Sequence, residues 1–408
     1  MLLFYNLGIR LYQVLIQLAC LKSLKARAFI NGRKNLLERI EHAIIPGQKH
    51  IWFHFASLGE FEQGRPVLEQ MRKNYPESRI FITFFSPSGF EIRKNYPLAD
   101  HIFYLPLDTS YNAERFINAV NPEMAIFTKY EYWYHYFTEL KKREIPVYMI
   151  SAIFRKDQAF FKWFGGIQRK ILTCVRMFFV QNVESKVLLE QLNLTNVRVS
   201  GDTRFDRVYE NTQNPKRIDL VKKFCSDRKV IVAGSTWLPD EKLVSSIHEM
   251  LPNWKLIIAP HEVEEARIKE IEALFPDSVR FTRVETTESE FRTLIIDNIG
   301  MLSSLYQYGN IAYIGGGFGA GIHNTLEAAA FGLPVIFGPK YGKFKEAKDL
   351  IELEAAFPVA DLDAFRAVLK RLSEEDNYLK AGSKAFNYVE TNTGATDLIL
   401  KHIDYPPN

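Results

Sequence analysis

Two acidic side chains in the first half of the chain follow apolar segments of strand length. Glu60 closes the segment 54–60 (HFASLGE), and Glu131 lies among aromatic residues in 129–133 (KYEYW). A carboxylate at the start of a helix is stabilised by the helix dipole, and the same group beside a bound hydroxyl can act as a general base. Both interpretations of Glu60 are open from spacing alone. For Glu131, the aromatic neighbours at a strand end favour a functional role over a structural one.

A third candidate, Arg204, lies in the segment 201–206 (GDTRFD), at the end of the first half of the chain. A guanidinium at this point can neutralise the negative charge of a departing phosphate, or it can pair with the neighbouring Asp202 or Asp206. Both interpretations are open. The segment 86–89 (SPSG) has the composition of a turn followed by a helix and indicates no chemistry by itself.

Small and polar residues follow the predicted strands of the second half. Gly234–Thr236 (GST) is a turn whose backbone amides can face a phosphate, and 259–262 (APHE) follows the next strand. A glycine-rich stretch, 315–319 (GGGFG), then leads to Asn324 and Glu327. Glycines let a backbone approach a ligand closely, while Asn324 is placed to cap the next helix and Glu327 to accept hydrogen bonds from a ribose. The stretch matches neither a GxGxxG fingerprint nor a Walker loop.

Strands that alternate with helices are needed to position these residues. Apolar runs predict strands at 51–57, 79–85, 101–106, 123–129, 146–151, 177–181 and 197–200 in the first half, and at 229–234, 254–259, 279–284, 293–297, 311–316 and 334–338 in the second. Longer helical stretches, such as 61–75 and 111–120, lie between many of them. This alternation predicts parallel sheets covered on both faces, in which ligands bind beyond the carboxyl ends of the strands.

The composition is that of an ordinary globular protein with about two domains. Of the 408 residues, 47% are hydrophobic and 25% are charged, and the net charge of +4 is too small for a dedicated nucleic-acid-binding protein. The three cysteines lack the spacing of a disulfide framework or a zinc site. The predicted fold class is α/β, with two Rossmann-like, doubly wound domains, 35–208 and 219–408, that face each other across a cleft. The polar segment 209–218 (YENTQNPKRI) is the predicted linker.

The segment 1–34 has the pattern of a membrane-associated amphipathic helix followed by basic residues. Its first 21 residues are strongly apolar, and their polar members share one helical face: Asn6, Arg10, Gln13 and Gln17. The basic residues that follow are Lys22, Lys25, Arg27, Arg33 and Lys34. Basic charge after the apolar stretch argues against a cleaved signal peptide, and a polar stripe is costly in a helix that spans a membrane. We expect a helix in the headgroup region of anionic lipid; the alternative is a helix packed on its own domain.

Taken in chain order, these segments resemble a known family. They are HFASLGE (54–60), SPSG (86–89), YEYW (130–133), GDTRFD (201–206), GST (234–236), APHE (259–262) and GGGFGAGIHNTLEAAAFGLPVIFGP (315–339). The set resembles the Kdo transferases, which transfer 3-deoxy-D-manno-octulosonic acid (Kdo) from CMP-Kdo to the lipid A precursor of lipopolysaccharide. The resemblance implies a GT-B fold, with the acceptor, lipid IVA, on the N-terminal half and CMP on the C-terminal half. It also implies attachment to the cytoplasmic face of the inner membrane, and neither a divalent metal nor a cofactor.

The resemblance also assigns roles to residues of this sequence. Glu60 matches the catalytic base, and Glu131 and Arg204 match positions that stabilise the transition state. The activated acceptor hydroxyl would attack the anomeric carbon of Kdo from the face opposite CMP, with inversion. The residues expected to bind CMP are Ser235, Thr236, Pro260, His261, Gly300, Met301, Leu302, Gly317, Asn324, Thr325, Leu326 and Glu327.

The sequence departs from the family pattern at some of these positions. Many members have Pro-Arg where this chain has Pro260–His261, Lys where it has Arg204, and Gly-Glu-Leu where it has Gly300–Leu302. Two other functions remain open. One is a glycosyltransferase of the same architecture that uses another nucleotide sugar, such as a lipid A disaccharide synthase, which a comparison of CMP-Kdo with UDP-sugars would separate. The other is a membrane-tethered protein of two α/β domains that captures a sugar without turnover.

Overall fold

The computed structural model describes residues 1–286 and 290–405, and within them it contains two parallel β-sheets in two compact units. The first unit is formed by residues 1–206 together with the C-terminal segment from residue 393 onward. The second unit is formed by residues 207–392. Each unit has its own sheet and its own hydrophobic core.

The strands of the first unit are β1 (His50–Phe55), β2 (Arg79–Phe84), β3 (His101–Tyr104), β4 (Pro122–Thr128), β5 (Val147–Ala152), β6 (Met177–Val180) and β7 (Val197–Val199). They are parallel and lie in the order β3-β2-β1-β4-β5-β6-β7. The central strand β1 is buried along its whole length because helices cover both faces of the sheet. The order reverses between β1 and β4, and such a switch point is where open α/β sheets bind ligands.

The helices that precede, connect and follow these strands are α1 (Leu2–Ala19), α2 (Leu24–Gly32), α3 (Leu36–Ala43), α4 (Leu58–Asn74), α5 (Pro87–Arg93), α6 (Ser110–Val120), α7 (Tyr134–Lys142), α8 (Gly166–Leu172), α9 (Val183–Glu190) and α10 (Thr203–Gln213). Several begin at a side-chain cap. Ser57, Ser86 and Thr109 each accept a hydrogen bond from a backbone amide in the first turn of α4, α5 and α6. Such caps satisfy amides that have no partner inside the helix.

The strands of the second unit are β8 (Val230–Thr236), β9 (Lys255–Pro260), β10 (Ser278–Arg280), β11 (Thr293–Ile295), β12 (Ile311–Ile314), β13 (Val335–Phe337) and β14 (Ala356–Pro358). They form a parallel sheet in the order β10-β11-β9-β8-β12-β13-β14, with its switch point between β8 and β12. The helices that follow α10 are α11 (Asp219–Cys225), α12 (Leu238–Val244), α13 (Ile247–Met250), α14 (Glu265–Leu274), α15 (Leu302–Leu305), α16 (Leu326–Ala330), α17 (Lys345–Glu352), α18 (Leu362–Leu372), α19 (Glu375–Thr391) and α20 (Ala395–Lys401).

Every strand predicted from the sequence is present, with ends that shift by a few residues. One strand, β14, was not predicted, because its three residues, AFP, are too short a run to stand out. The predicted helices at 61–75 and 111–120 correspond to α4 and α6. Parallel strands buried on both faces consist of continuous apolar residues, which is why the pattern was readable.

The domain boundaries differ from the prediction at both ends of the second domain. The predicted linker 209–218 is helical as far as Gln213, because α10 runs through it. The C-terminal segment belongs to the first unit and not to the predicted second domain 219–408. Asp206 holds the C-terminal segment on the first unit, because its carboxylate accepts hydrogen bonds of 2.6 Å from the Gly394 and Thr396 amides. Beyond that contact, α20 packs on α4 of the first unit.

The N-terminal helix α1 packs on the first unit with one face. Tyr5 Oη donates a 2.5 Å hydrogen bond to the buried Asp108, and the Tyr12 ring stacks on Phe85 with 6.0 Å between ring centres. Among residues 1–286 and 290–405, α1 is the one helix long and apolar enough to cross a membrane. Its exposed large hydrophobic side chains are Leu2, Leu3, Phe4, Leu7, Leu11, Tyr12, Val14, Leu15 and Leu18.

One basic residue of the segment 1–34 does not face outward as predicted. The Arg33 guanidinium lies over the Phe29 ring, 3.6 Å from its centre, and donates hydrogen bonds to the carbonyls of Leu105 and Phe85. Burial lowers the pKa of Arg33 to about 10. Carbonyl oxygens can take the place of an acidic partner for a guanidinium, and the sequence pattern could not show that these carbonyls lie here.

Candidate active site

Glu60 lies beside the switch point of the first sheet, in the first turn of α4. The Ser57 hydroxyl accepts a hydrogen bond of 3.3 Å from the Gly59 amide and donates one to Glu60 Oε2. Among residues 1–286 and 290–405, no donor contacts the second carboxylate oxygen, Oε1. Ser57 therefore orients the half-buried carboxylate and leaves one oxygen for a substrate hydroxyl.

Glu131 follows β4, the strand next to β1, and two N–H groups converge on one of its oxygens. Trp133 Nε1 donates to Glu131 Oε2 over 2.8 Å, and His54 Nε2 lies 3.1 Å from the same oxygen. His54 is completely buried at the end of β1, whereas the Glu131 side chain is 14% exposed. Phe85 packs against the Trp133 ring, with 4.8 Å between ring centres, and holds it in place. The Glu131 carboxylate is thus fixed at the edge of the sheet.

The hydrogen-bond network assigns the proton of His54. Trp52 Nε1 donates to Thr83 Oγ1 over 2.8 Å, which leaves the Thr83 hydroxyl proton for another acceptor. His54 Nδ1 lies 2.8 Å from that hydroxyl, whereas the carbonyl oxygen of Phe53 is 3.5 Å away. We therefore assign the Thr83 proton to the bond with Nδ1, so that neutral His54 carries its own proton on Nε2 and donates it to Glu131.

Arg204, in the first turn of α10, pairs with Asp202. Its Nε and a terminal nitrogen each lie 2.9 Å from Asp202 Oδ2, while the Arg204 amide and Gln63 donate to Oδ1 over 3.0 and 3.1 Å. Burial alone would raise the pKa of Asp202, but the charge and hydrogen bonds of Arg204 outweigh it and lower that pKa. The Arg204 side chain remains 34% exposed. Of the two structural partners considered for it, Asp202 is the one that binds it.

Tyr130 lies next to Glu131 at the carboxyl end of β4, and the guanidinium carbon of Arg155 is 5.6 Å from the centre of its ring. Burial raises the pKa of the Tyr130 phenol, the charge of Glu60 raises it further, and the charges of Arg155 and Arg204 lower it. Tyr130 and Arg155 thus lie at the same edge of the sheet as Glu131.

Most of the predicted CMP residues of the second unit lie at or after the ends of the adjacent strands β9, β8 and β12, whereas Gly300–Leu302 follow β11. Ser235 lies near the end of β8 in the left-handed backbone region (φ 54°), and the carbonyl oxygen of Thr236 accepts a hydrogen bond of 3.0 Å from the His261 amide. Thr236 Oγ1 donates to the buried Glu241, which pairs with Arg267. Pro260, the last residue of β9, is buried next to His261. These contacts hold the ends of β8 and β9 together.

The glycine-rich loop after β12 lies directly against neighbouring backbone. A Cβ atom at Gly317 would lie 2.6 Å from the backbone nitrogen and Cα of Gly338, so a larger residue does not fit. Gly316 has a φ of 89°, and its amide donates a 2.9 Å hydrogen bond to the buried Asp240. Asp240 also accepts a 2.9 Å hydrogen bond from the Trp237 amide, and thereby joins the loop to the start of α12.

Three aromatic rings stack where β8, β9 and β12 end. The ring centres of Trp237 and His261 are 4.7 Å apart, and those of His261 and His323 are 4.6 Å apart, with interplanar angles below 30°. Trp237 Nε1 donates to His323 Nε2 over 3.3 Å. Burial lowers the pKa of His323, and the neighbouring His261 lowers it further, which favours the neutral ring that accepts this bond. His261 is therefore fixed between two rings that the sequence analysis did not single out.

Asn324 binds the first amide of α16, while the N-cap position of this helix is Thr325. Asn324 Oδ1 accepts a 3.1 Å hydrogen bond from the Leu326 amide, and Asn324 Nδ2 donates to Glu327 Oε1 over 3.0 Å. The buried Thr325 hydroxyl between them has no hydrogen-bond partner among the described residues. The two side chains Asn324 and Glu327 thus lie together at the start of the helix.

Leu302 is the member of the segment Gly300–Leu302 that contacts the site. A Cβ atom at Gly234 would lie 2.4 Å from Tyr306 Oη and 2.7 Å from a methyl carbon of Leu302, so both side chains lie against the end of β8. Burial raises the pKa of Tyr306, and the charge of Glu327 raises it further. Gly300 (φ 93°) and Met301 precede α15 in an irregular turn.

Comparison with known proteins decides the family. The family model of the 3-deoxy-D-manno-octulosonic-acid transferases matches residues 31–207. The 3-deoxy-D-manno-octulosonic acid transferase of Chlamydophila psittaci is 31% identical over 312 residues, which cover 72% of this chain and 71% of that protein. The chain belongs to the Kdo transferase family. The enzyme of the same name from Haemophilus influenzae is 28% identical, and the match covers 90% of both chains.

Family membership confirms the resemblance noted in the sequence and makes this Kdo transferase a glycosyltransferase. Solved structures show the same fold at low sequence identity. A UDP-GlcNAc 2-epimerase from Neisseria meningitidis matches with a TM-score of 0.60 at 15% identity, over 87% of this chain and 99% of that one. MurG from Acinetobacter baumannii matches with a TM-score of 0.55 at 12% identity, over 87% and 99% of the two chains. The predicted class, two Rossmann-like domains, is confirmed.

The sequence analysis of this Kdo transferase missed four side chains at the two sites. His54 lies inside a quoted motif and Trp237 directly follows one. The motifs do not show that His54 contacts Glu131 or that Trp237 contacts His261. Arg155 lies in a loop after β5 that carries no motif, and His323 lies inside the glycine-rich segment next to Asn324 without having been named there. The place of His54 and Trp237 in the sequence is the signal that could have found them. His54 lies at the end of β1 and Trp237 directly after β8, and ligands bind where adjacent strands end.

Proposed function

We propose that this Kdo transferase moves Kdo from CMP-Kdo to a hydroxyl of the lipid A precursor, lipid IVA, in lipopolysaccharide synthesis. The acceptor binds to the first unit and CMP to the second. Glu60 is the general base, the anomeric configuration of Kdo is inverted, and no divalent metal or cofactor takes part.

The position of Glu60 carries this proposal. The carboxylate lies beside the switch point of a parallel sheet, oriented by Ser57 and with Oε1 open to a ligand. Gln63, one turn further along α4, binds the Asp202 carboxylate that holds Arg204, and Glu131 follows the adjacent strand β4. A base, a cation and a second fixed carboxylate at one sheet edge fit the transfer of a sugar from an anionic leaving group.

The proposed reaction is one displacement. Glu60 Oε1 takes the proton of a primary acceptor hydroxyl while the hydroxyl oxygen forms a bond to the anomeric carbon of Kdo. The bond between that carbon and the phosphate oxygen of CMP breaks on the opposite face, and CMP leaves with the electron pair. The positive charge of Arg204 stabilises the charge that develops on CMP, which is the role that a metal ion serves in other enzymes. Glu131 stabilises positive charge at the sugar ring.

Mass spectrometry of lipid IVA after incubation with the enzyme and CMP-Kdo tests this function. We expect the acceptor to gain the mass of Kdo, and UDP-sugars to give no product. Product from a UDP-sugar alone would identify another glycosyltransferase. Tight binding of CMP-Kdo without any product would identify a binding protein instead.

Glu327→Gln is expected to weaken CMP binding about 10- to 100-fold, because hydrogen bonds to a charged group contribute about 1.5–3 kcal/mol. The proposed bonds run from the ribose hydroxyls to the Glu327 carboxylate, which Asn324 orients. Titration calorimetry with CMP measures the effect, and Glu352→Gln, an exposed glutamate of the same unit, is the matched control. Equal CMP affinity of the two folded variants would move the ribose site elsewhere.

We also propose that α1 binds the cytoplasmic face of the inner membrane and lies along its surface. Its docked face, with Tyr5 and Tyr12, is held by the first unit, so the opposite face is free to contact lipid. Trp163 and Phe164 are 92% and 51% exposed. They lie near the start of α1, because the Met1 side chain contacts Gly166, which follows Phe164 by two residues. Exposed aromatic and leucine side chains on one edge suit the boundary between lipid headgroups and acyl chains.

Replacing Leu7, Leu11 and Leu18 together by Gln is expected to abolish flotation of the protein with anionic phosphatidylglycerol vesicles. Each of these side chains is at least 56% exposed, so the change removes apolar contact with lipid and leaves the docked face of α1 intact. Leu379→Gln, at an exposed position of the second unit, is the control. If the triple variant still floats like the control, the apolar face of α1 is not the membrane contact.

A further inference from the structure

Two cations that the proposed reaction has not used flank the ring of Tyr130. Lys129 Nζ lies 5.8 Å from the centre of that ring, and the guanidinium carbon of Arg155 lies 5.6 Å from it. Lys129 follows the end of β4, and Arg155 follows the end of the neighbouring strand β5. The sheet therefore brings two positive charges from separate loops to one aromatic side chain, at its carboxyl edge.

These cations lie at the same edge of the sheet as the proposed base. Glu60 follows β1, Lys129 follows the neighbouring strand β4, and Arg155 follows β5, which pairs with β4. Burial raises the pKa of the Tyr130 phenol, and the charges of Arg155, Glu60 and Arg204 also act on it. Arg204 is bound by Asp202, but among residues 1–286 and 290–405 no carboxylate pairs with Arg155. An exposed guanidinium on an aromatic ring, without an acidic partner, keeps its full charge for a ligand.

The backbone at Lys129 is strained in a way that fits a binding site. Its φ of 67° lies in the left-handed region, which is unfavourable for an L-residue with a Cβ atom. Its amide donates a 3.1 Å hydrogen bond to the Ile150 carbonyl of β5, which fixes this conformation. Non-glycine residues held in this region cluster at ligand sites, because the strain sets the direction of a functional loop.

The chemistry of the donor identifies the anionic group that these cations bind. In Kdo, a carboxylate is bonded directly to the anomeric carbon, the atom that the hydroxyl activated by Glu60 attacks. That carboxylate must therefore lie within a few ångströms of the Glu60 side chain during the reaction. The phosphates of the acceptor are bonded to carbons that do not react. A guanidinium matches a carboxylate with two parallel hydrogen bonds, and an ammonium group adds a point charge.

We propose that Lys129 and Arg155, placed on the Tyr130 ring, form the subsite that binds the carboxylate of the donor sugar. The subsite rests on the proposed function, since it takes Glu60 as the base and CMP-Kdo as the donor. The subsite also provides selectivity for an acidic sugar, because a neutral sugar offers no carboxylate to the Arg155 guanidinium.

Steady-state kinetics of Arg155→Gln test the subsite. We expect the KM for CMP-Kdo to rise about 10- to 100-fold, as the loss of a charge-assisted pair predicts. The inhibition constant of CMP, which has no such carboxylate, stays unchanged, and so does the KM for lipid IVA. Lys156→Gln, the adjacent exposed cation, is the matched control and should behave as the wild type. Lys129→Gln should resemble Arg155→Gln.

The outcomes separate the subsite from the function on which it rests. A raised KM for lipid IVA with an unchanged KM for CMP-Kdo would assign the cations to an acceptor phosphate and overturn the proposal. Wild-type kinetics in both Arg155→Gln and Lys129→Gln would overturn it as well. If the wild-type enzyme itself gave no product from CMP-Kdo, the proposed function would fail first, and the donor subsite with it.

Discussion

Glu60→Gln is expected to lower kcat about 10²- to 10⁴-fold, the usual effect of losing a general base. The amide has the shape and volume of the carboxylate but lacks the basic oxygen that takes the proton. The Ser57 hydroxyl still has an oxygen to which it can donate, so the side chain keeps its position. CMP binding should not change, because its proposed contacts lie in the second unit. Turnover at saturating CMP-Kdo and lipid IVA measures the effect.

Glu62→Gln is the matched control for this variant. Glu62 is two residues further along α4 and is occupied elsewhere, since Arg93 and Arg65 lie 2.6 and 3.5 Å from its two oxygens. Partly exposed pairs of this kind contribute about 0.2–1 kcal/mol, so turnover should stay near that of the wild type. Near-normal turnover of Glu60→Gln, or a loss confined to Glu62→Gln, would exclude Glu60 as the base and leave Glu131 as the next candidate.

Glu131→Gln is expected to lower kcat about 10²- to 10³-fold, comparable to removing one electrostatic group that stabilises a transition state. The change removes the negative charge that we assign to the developing charge on the sugar. An amide also has one oxygen in place of two, and its NH₂ group cannot accept the protons of His54 and Trp133. The KM values for both substrates should change much less than kcat, since the interaction belongs to the transition state.

Two further variants show whether charge or position matters at Glu131. Glu123→Gln, at the opposite end of β4, removes a carboxylate that pairs with Lys49 over 3.2 Å, and it should leave kcat unchanged. His54→Leu keeps the carboxylate but removes the buried N–H that orients it, and should reduce kcat less than Glu131→Gln. Full activity of Glu131→Gln would show that Glu131 only contacts His54 and takes no part in the reaction.

The strands and the ends of strands were predictable from the sequence, and the reason is physical. Buried parallel strands such as β1 and β8 consist of continuous apolar residues, so each run marks a strand and its last residue marks the ligand edge. Glu60 and Glu131 were found in this way, since each follows such a run. The contact of Asn324 with the start of α16 was predictable too, because it depends on residues close in sequence.

Contacts between residues far apart in sequence were not predictable. The bond between His54 and Glu131 requires β1 and β4 to be neighbours with His54 opposite Phe127, and a single sequence does not state that register. The inward position of Arg33 depends on hydrogen bonds to the backbone carbonyls of Leu105 and Phe85. Every residue carries such a carbonyl, so the residue types do not reveal these partners. Arg155 lies on a loop, where no periodic pattern constrains its direction.

The return of the C-terminal segment to the first unit has a consequence for how the chain matures. Ile399 and Ile403 are buried in the same core as Ile51 and Phe53 of the first strand. The second unit, by contrast, is built from one continuous stretch, 207–392. A ribosome that synthesises the chain from its N-terminus therefore releases all of the second unit before the first has its complete core. We expect the half that carries Glu60 to reach its final packing last, although it is translated first.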